Sequence, residues 1–266
     1  MKKLLLIPFL NVLLFTAVFA QVDTVTFDNG MLKMKHLPFG KNYYLVYNQG
    51  SKDGPKYNFY LWERDLQKKE VKGIPSIVLD WVWQFPDSTK VITKKMVVKA
   101  DNFAPDSEKV NYSTHFGKGR SYRQTILFEE NKVVSSADTL EHNTKKIQQP
   151  FKEKPFNWEL DMETFSMLPL GKGKKFAINF YHPGGSAPAY YTYEVVGEEK
   201  LQLNGKNVDC WLLKTEFEKG KGYAIWWLDK KSHLTYKMEE KFGELYRYKI
   251  WVNPTLFNSL VTSNNV

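Results

Sequence analysis

Cysteine is almost absent from this sequence: Cys210 is the one thiol in 266 residues. A single cysteine excludes an intramolecular disulfide. It lies in Val208-Asp209-Cys210-Trp211-Leu212-Leu213, where a small buried hydrophobe is the expected role. Histidine is scarce as well. His36, His115, His142, His182 and His233 stand far apart, with no H-E-x-x-H and no metal-ligand spacing. There is no G-x-S-x-G elbow, since Gly184-Gly185-Ser186-Ala187-Pro188 lacks the spacing. Gly171-Lys172-Gly173-Lys174-Lys175 lacks both the spacing of a phosphate loop and its terminal Ser or Thr. The neighbours Glu129-Glu130 and Glu239-Glu240 point to opposite sides of a strand, which makes them poor acid–base partners. No catalytic residue, metal site or cofactor is therefore expected from motifs.

Long apolar runs are also missing after residue 20, so no transmembrane helix is expected there. The first twenty residues read as a secretory leader. Lys2 and Lys3 supply a positive start, Leu4 to Phe15 is apolar apart from Pro8 and Asn11, and Val18-Phe19-Ala20 supplies a cleavage site. Cleavage would leave Gln21 to Val266, and with no cysteine after the site the chain is not expected to be a lipoprotein. The expected location is periplasmic or secreted.

What remains is a chain of 42% hydrophobic and 25% charged residues, which is neither disordered nor membrane-spanning in composition. It fits one large all-β domain or two ordinary ones. Aromatics are abundant: 18 Phe, 15 Tyr and 8 Trp. The formal charge is +9, falling to +7 without Lys2 and Lys3. For an exported chain this does not point to nucleic acid. The lysines cluster at presumed turns: Lys68-Lys69, Lys145-Lys146, Lys172 with Lys174-Lys175, Lys219 with Lys221, and Lys230-Lys231. Solvated loops and protected edges explain them. The sharper alternative is peripheral attraction to an anionic membrane surface or envelope polymer.

The last third reads as a meander. Tyr190 to Leu203 is rich in aromatic and β-branched residues, and Asn204-Gly205 is a two-residue hairpin signal. Asn207 to Phe217, Tyr223 to Leu228, His233 to Lys241 and Leu245 to Val252 follow, separated by short turns. Alternation puts Leu234, Tyr236 and Met238 on one side of their strand. It sets Tyr246, Tyr248, Ile250 and Val252 against Arg247 and Lys249. In Tyr223 to Leu228 both faces are apolar, so both are covered or one forms an exposed patch. Earlier candidates are Tyr43 to Tyr47, Tyr57 to Arg64, Ile77 to Gln84, Val91 to Lys99, Val110 to Phe116, Ser121 to Glu129 and Lys132 to Ser136. Ile77, Leu79, Trp81, Trp83 and Phe85 share a face, and turn signals recur at Asp53-Gly54-Pro55, Pro86-Asp87-Ser88 and Gly117-Lys118-Gly119. One helix is predicted over Asn157 to Leu168, capped by Asn157, with Trp158, Met162 and Phe165 on one face and Pro169 as its stop.

Tyr191-Thr192-Tyr193-Glu194-Val195-Val196-Gly197-Glu198-Glu199 resembles a recurrent strand of a bacterial domain-of-unknown-function family, numbered 3108. The Asn204-Gly205 hairpin with Val208-Asp209-Cys210-Trp211, then Trp226-Trp227-Leu228-Asp229-Lys230-Lys231 and Tyr246-Arg247-Tyr248-Lys249, continue the resemblance, which covers about Phe156 to Val252. That family looks similar to the periplasmic lipoprotein-carrier superfamily of LolA and LolB. The resemblance implies a curved antiparallel sheet or unclosed barrel whose hollow holds acyl chains.

The expected fold is mainly β: a curved antiparallel sheet or incompletely closed β-barrel, LolA/LolB-like, with one lid or plug helix; a sandwich is the second choice. The domain would run over 21–252, as one sheet or as halves 21–150 and 151–252, ahead of a loose tail, 253–266. The first function expected is non-enzymatic binding of an acyl chain, lipid or lipidated partner in the concave face. Its candidate walls and rim are Trp81, Trp83, Phe165, His182, Trp211, Trp227, Tyr246 and Tyr248. The second is a structural or protein-interaction module, with Tyr223 to Leu228 as its patch. The third is an enzyme using His182, which requires an acid within reach of that ring. The oligomeric state has no sequence signature. The leader pattern makes one test direct: in cells that export the full-length chain, mass spectrometry of the secreted or periplasmic form should find Gln21 at its N-terminus. An uncleaved Met1 in that fraction would refute the leader.

Overall fold

The computed structural model describes residues 21–86, 90–114, 122–137, 146–203 and 205–255. The leader segment, Asp87-Ser88, His115, the Gly117–Gly119 turn, His142, Lys145, Asn204 and residues 256–266 lie outside them. Sixteen described strands form one sheet. The first half supplies β1 (Val22–Val25), β2 (Gly40–Gln49), β3 (Lys56–Val71), β4 (Ile74–Gln84), β5 (Lys90–Lys99), β6 (Pro105–Thr114), β7 (Tyr122–Phe128), β8 (Lys132–Ser135) and β9 (Gln148–Pro150). The second supplies β10 (Phe156–Asn157), β11 (Lys175–Tyr181), β12 (Ala189–Leu203), β13 (Lys206–Phe217), β14 (Gly222–Asp229), β15 (Thr235–Phe242) and β16 (Leu245–Val252).

Strand order is β1-β11-β12-β13-β14-β15-β16-β2-β3-β4-β5-β6-β7-β8-β9, with β10 beside β11. The expected fold class holds: a large curved sheet, not closed into a barrel. Both halves belong to that sheet, because β16 pairs antiparallel with β2 from Tyr246↔Gln49 to Val252↔Tyr43. The sheet's two ends are tied by the chain itself. It leaves β9 at one edge and enters β10, which pairs parallel with β11 near the other. Tyr181 of β11 packs with Ile126, Phe128 and Val133 of β7 and β8, so the seam has its own small core.

The predicted strands are present, several of them longer than read. The β3–β4 hairpin turns at Lys72-Gly73, with φ of +53° and +79°. A Lys there is a weaker signal than Asn-Gly, and the strand was read as ending at Arg64. One alternation is interrupted. A bulge opposite Trp227 and Leu228 sets Thr235 against Leu228 and Lys237 against Trp227, so buried Thr235 joins Met238 on the inner side.

The helix is shorter than the predicted span. A 3-10 turn, Trp158–Leu160, leads into α1, Asp161–Ser166. Asn157 caps as expected, its Oδ1 accepting from the Glu159 N–H at 3.0 Å. The segment fills the concave side of the sheet. Phe165 and Leu168 pack with Phe176, Phe180, Tyr193, Trp226 and Met238 of the β11–β15 half. Leu160, Met162 and Met167 pack with Val46, Trp62, Leu79, Trp81 and Met96 of the β2–β5 half. Its end is pinned twice: the Lys33 N–H donates to the Met167 carbonyl at 2.8 Å, and His233 Nδ1 lies 2.9 Å from the Ser166 carbonyl.

This corrects the expected hollow. Phe165, Met167 and Leu168 are each 0% exposed, and the space left beside Arg64, Met162 and Glu163 is about 10 Å³, one water at most. The helix is a plug, and the trough beneath it is packed. Phe165 anchors the plug in the β11–β15 half of the core through ring contacts with Tyr193 at 4.7 Å and Trp226 at 4.8 Å. Phe165→Ala should therefore lower the unfolding free energy by about 3–5 kcal/mol, read in urea as a lower midpoint with an unchanged slope. A loss under about 1 kcal/mol would mean the plug is not part of the core.

Candidate functional site

The concave face is set by strand register. Trp62 and Trp83 are directly paired, as are Arg64 and Trp81, and Lys94 pairs with Trp81 one strand on. Met238, Lys249 and Val46 form a row across β15, β16 and β2. The expected polarity of β16 is thus reversed. Arg247 and Lys249 point inward, and Tyr246 and Tyr248 stand on the outer face. The alternation itself was right; the side assigned to the core was wrong, because the inward charges pair with Glu240 of β15 and lie in the field of Asp161 on the plug.

Three indoles floor the middle of the trough. Trp62, Trp81 and Trp83 lie 4.6 to 5.2 Å apart between centroids. Three cations lie over them: Arg64 at 4.3 Å from Trp81, Lys94 at 5.4 Å from Trp81, and Lys249 at 4.8 Å from Trp62. Above the cations come carboxylates. Arg64 Nε donates to Glu163 Oε1 at 3.1 Å, and its Nη2 donates to Glu163 Oε2 and to the Glu159 carbonyl. Lys94 Nζ is 2.7 Å from Glu159 Oε1 and 3.7 Å from Glu108 Oε1. Asn157 Nδ2 donates to Glu108 Oε2 at 2.8 Å. Lys249 Nζ sits 3.5 Å from Glu240 Oε2, which Arg247 also engages.

Burial acts on each of these groups. It pushes the Glu108 carboxyl up to about 7, against the pull of Lys94, and Asp161 up to about 6. At Glu159 burial works the same way, but Lys94 and His182 overcome it and hold that carboxyl below its ordinary range. Burial also pushes the Lys249 ammonium down.

The eight residues singled out from sequence divide into three groups. Trp81 and Phe165 are core, 3% and 0% exposed. Trp83 and Trp211 are half-buried on the concave side. Trp227, Tyr246 and Tyr248 are not cavity walls. Trp226 takes the inner side of β14, leaving Trp227 outside, 5% exposed beneath Lys237 Nζ at 4.0 Å. Tyr248 stacks on Tyr47 at 5.1 Å on the same outer face. His182 is a rim residue with 61% of its side chain exposed and its Nδ1 3.5 Å from Glu159 Oε1. The acid that an enzyme would need is therefore beside it. That oxygen already holds Lys94. Among the described residues no group of three His, Cys, Asp or Glu side chains can hold a metal. Cys210 is fully buried, and burial pushes its thiol up to about 12, which keeps it unreactive.

Open space lies past the plug, at one end of the trough. A cleft of about 640 Å³ is lined by Asn48, Asn58, Phe59, Tyr60, Trp83, Phe85, Pro86 and Lys90. That volume is in the range of small-molecule sites. Tyr60 stacks on Trp83 at 5.8 Å and on Phe85 at 5.0 Å, so the indole floor continues outward as an aromatic wall. Lys90 Nζ lies 4.0 Å above the Phe85 ring. Of these residues only Trp83 was singled out from sequence. Phe85 was placed on its face, and Tyr60 carried no signal of its own.

Residues 72–250 match the family model described as "Protein of unknown function (DUF3108)". The chain belongs to that family. The match begins well before Phe156, so the family covers most of the N-terminal half too. No curated protein matches the chain. Among solved structures it is similar to a β-barrel-like protein of the domain of unknown function DUF1849 from Brucella abortus. Identity there is 10%, over 81% of this chain and 97% of that one, with a TM-score of 0.49. It is also similar to a DUF1329 family protein from Desulfovibrio piger, at 11% identity over 83% of this chain and 87% of that one, with a TM-score of 0.23.

The raised Glu108 in this DUF3108 sheet has a measurable consequence. Its folded-state value of about 7 exceeds the ordinary 4.5, so its stabilising contribution is full below about 4.5 and is lost as pH rises through about 7. Asp161 acts in the same direction between 3.8 and about 6. Glu159 and Glu240, held low, are ionised throughout that window. Glu108→Gln should therefore lose less Tm than the wild type between about pH 5 and about pH 8, by differential scanning calorimetry. Equal losses in the two proteins would show that Glu108 does not titrate there.

Proposed function

We propose that this DUF3108 protein is an exported, non-enzymatic binder of a hydrophobic ligand: an acyl chain, a lipid or a lipidated partner. The ligand's apolar part lies in the cleft at the mouth of the trough. The observation that carries this reading is the aromatic wall of Tyr60, Trp83 and Phe85 left uncovered beside about 640 Å³ of open space. Export rests on the leader pattern of residues 1–20. The LolA/LolB-like resemblance supports the same class of ligand, with one change of place: the plug takes the centre of the concave face, and the mouth is what remains.

An acyl chain gains about 0.8 kcal/mol for each buried CH₂, so a few carbons on this wall give useful affinity. The alternative of a docking module without a pocket relied on a flat apolar patch at Tyr223 to Leu228. With Trp226 1% and Trp227 5% exposed, that strand offers none.

Native mass spectrometry of the purified protein, and displacement of a fluorescent fatty acid, test the binding reading. Trp83→Ala should weaken binding about tenfold or more, the cost of losing one large aromatic contact. Tyr246→Ala, on the outer face, should leave it unchanged. Absence of both co-purifying lipid and probe binding would overturn the proposal.

A further inference from the structure

The mouth cleft has a charge as well as a shape. None of its eight lining side chains is a carboxylate, and Lys90 is the one ionised group among them. Lys90 stands at the outer end of the wall, with Nζ 4.0 Å from the Phe85 ring and 5.9 Å from that of Tyr112. Further in come Trp83 and Tyr60, and then the plug. A cation at the solvent end of an aromatic wall is half of an amphiphile's complement: the wall takes the chain and the ammonium takes the head. Wall and ammonium are already in contact, so a chain lying along Tyr60 and Trp83 ends beside the Nζ that caps the Phe85 ring. The polar groups around the cleft include further donors. The amides of Asn48 and Asn58 line it. On the neighbouring strand Arg247, paired in register with Asn48, adds a second positive charge on the same face, where Glu240 answers it.

Building on the binding reading above, we propose that the mouth cleft selects single-chain amphiphiles with an anionic head. The chain lies on Tyr60, Trp83 and Phe85, and the carboxylate or phosphate oxygens meet Lys90. The head chemistry is shared by a free fatty acid and a lysophospholipid, and the cleft discriminates both from an uncharged chain of equal length.

Isothermal titration calorimetry of the delipidated protein separates these possibilities, with palmitate, lysophosphatidylglycerol and hexadecanol as the probes. Palmitate, lysophosphatidylglycerol or both should bind about fivefold more tightly than hexadecanol, the effect of one partly exposed ion pair. Which of the two is preferred identifies the source of the head. The preference should shrink as salt is raised from about 0.01 M to about 1 M, because an exposed pair is screened. Lys90→Met should abolish the preference while hexadecanol affinity stays within about twofold, and the salt series on the wild type reads the same term if that variant fails to fold. Binding of all three probes with equal affinity overturns the anionic selectivity and leaves the hydrophobic-ligand reading standing. Binding of none overturns that reading itself. A preference that survives both Lys90→Met and high salt overturns the role of Lys90.

Discussion

The structure depends on carboxylates that the plug carries into the sheet and on the cations that wait for them there. Glu159, Asp161 and Glu163 are 9%, 8% and 3% exposed. Charges this dry are tolerated only when paired and hydrogen-bonded. Glu163 has Arg64 and Glu159 has Lys94. Asp161 lies within the fields of Lys249 and Arg64, and burial nonetheless holds its carboxyl high. The cations in turn lie on indole faces, where the ring's negative surface offsets part of their lost hydration. Indole, cation and carboxylate stack in three layers from the sheet to the plug. Losing any one partner would strand a buried charge, at a cost of about 3–5 kcal/mol.

Such pairing supplies position more than net stability. Arg64 comes from β3, Lys94 from β5 and Lys249 from β16, so three strands in different parts of the sheet meet acids two residues apart on one short segment. A shift of the plug by one residue would turn every acid away from its cation. Apolar contacts then divide around it, with Phe165 and Leu168 to one half of the sheet and Met162 and Met167 to the other. Without this segment the two clusters would be opposite walls of an empty trough. With it they are one core, and the sheet has no need to close on itself.

Much of this was legible in sequence. Period-two alternation located the meander, and Asn157 marked the helix start. What failed was the choice of side. Arg247 and Lys249 were read as solvent-facing because charged residues usually are. They face inward because Glu240 of the adjoining β15 and the acids of the plug share that side; the plug is remote in sequence, and pairing between remote segments leaves no local pattern. The same limit hid the Lys94–Glu159–Glu108 cluster, whose members stand on β5, in the plug and on β6. For the doubly apolar β14 the sequence left two outcomes open, cover on both faces or an exposed patch. The outer face is covered at Trp227 by the Lys237 side chain.

The mouth cleft follows from a mismatch of lengths. A six-residue helix spans about 9 Å, whereas ten-residue strands such as β2 and β5 run to about 33 Å. The adjoining 3-10 turn and Met167-Leu168 extend the plug, but not to the full height of the sheet. Past its end the inward face continues with the same kind of residue. Ring contacts pass from Trp62 to Trp83, to Tyr60 and to Phe85 without a break. The covered part of this aromatic row is core, and the uncovered part is a site. One surface acquires two roles according to whether the plug reaches it, so lengthening or shortening the plug would move the boundary between stability and binding along a wall that need not itself change.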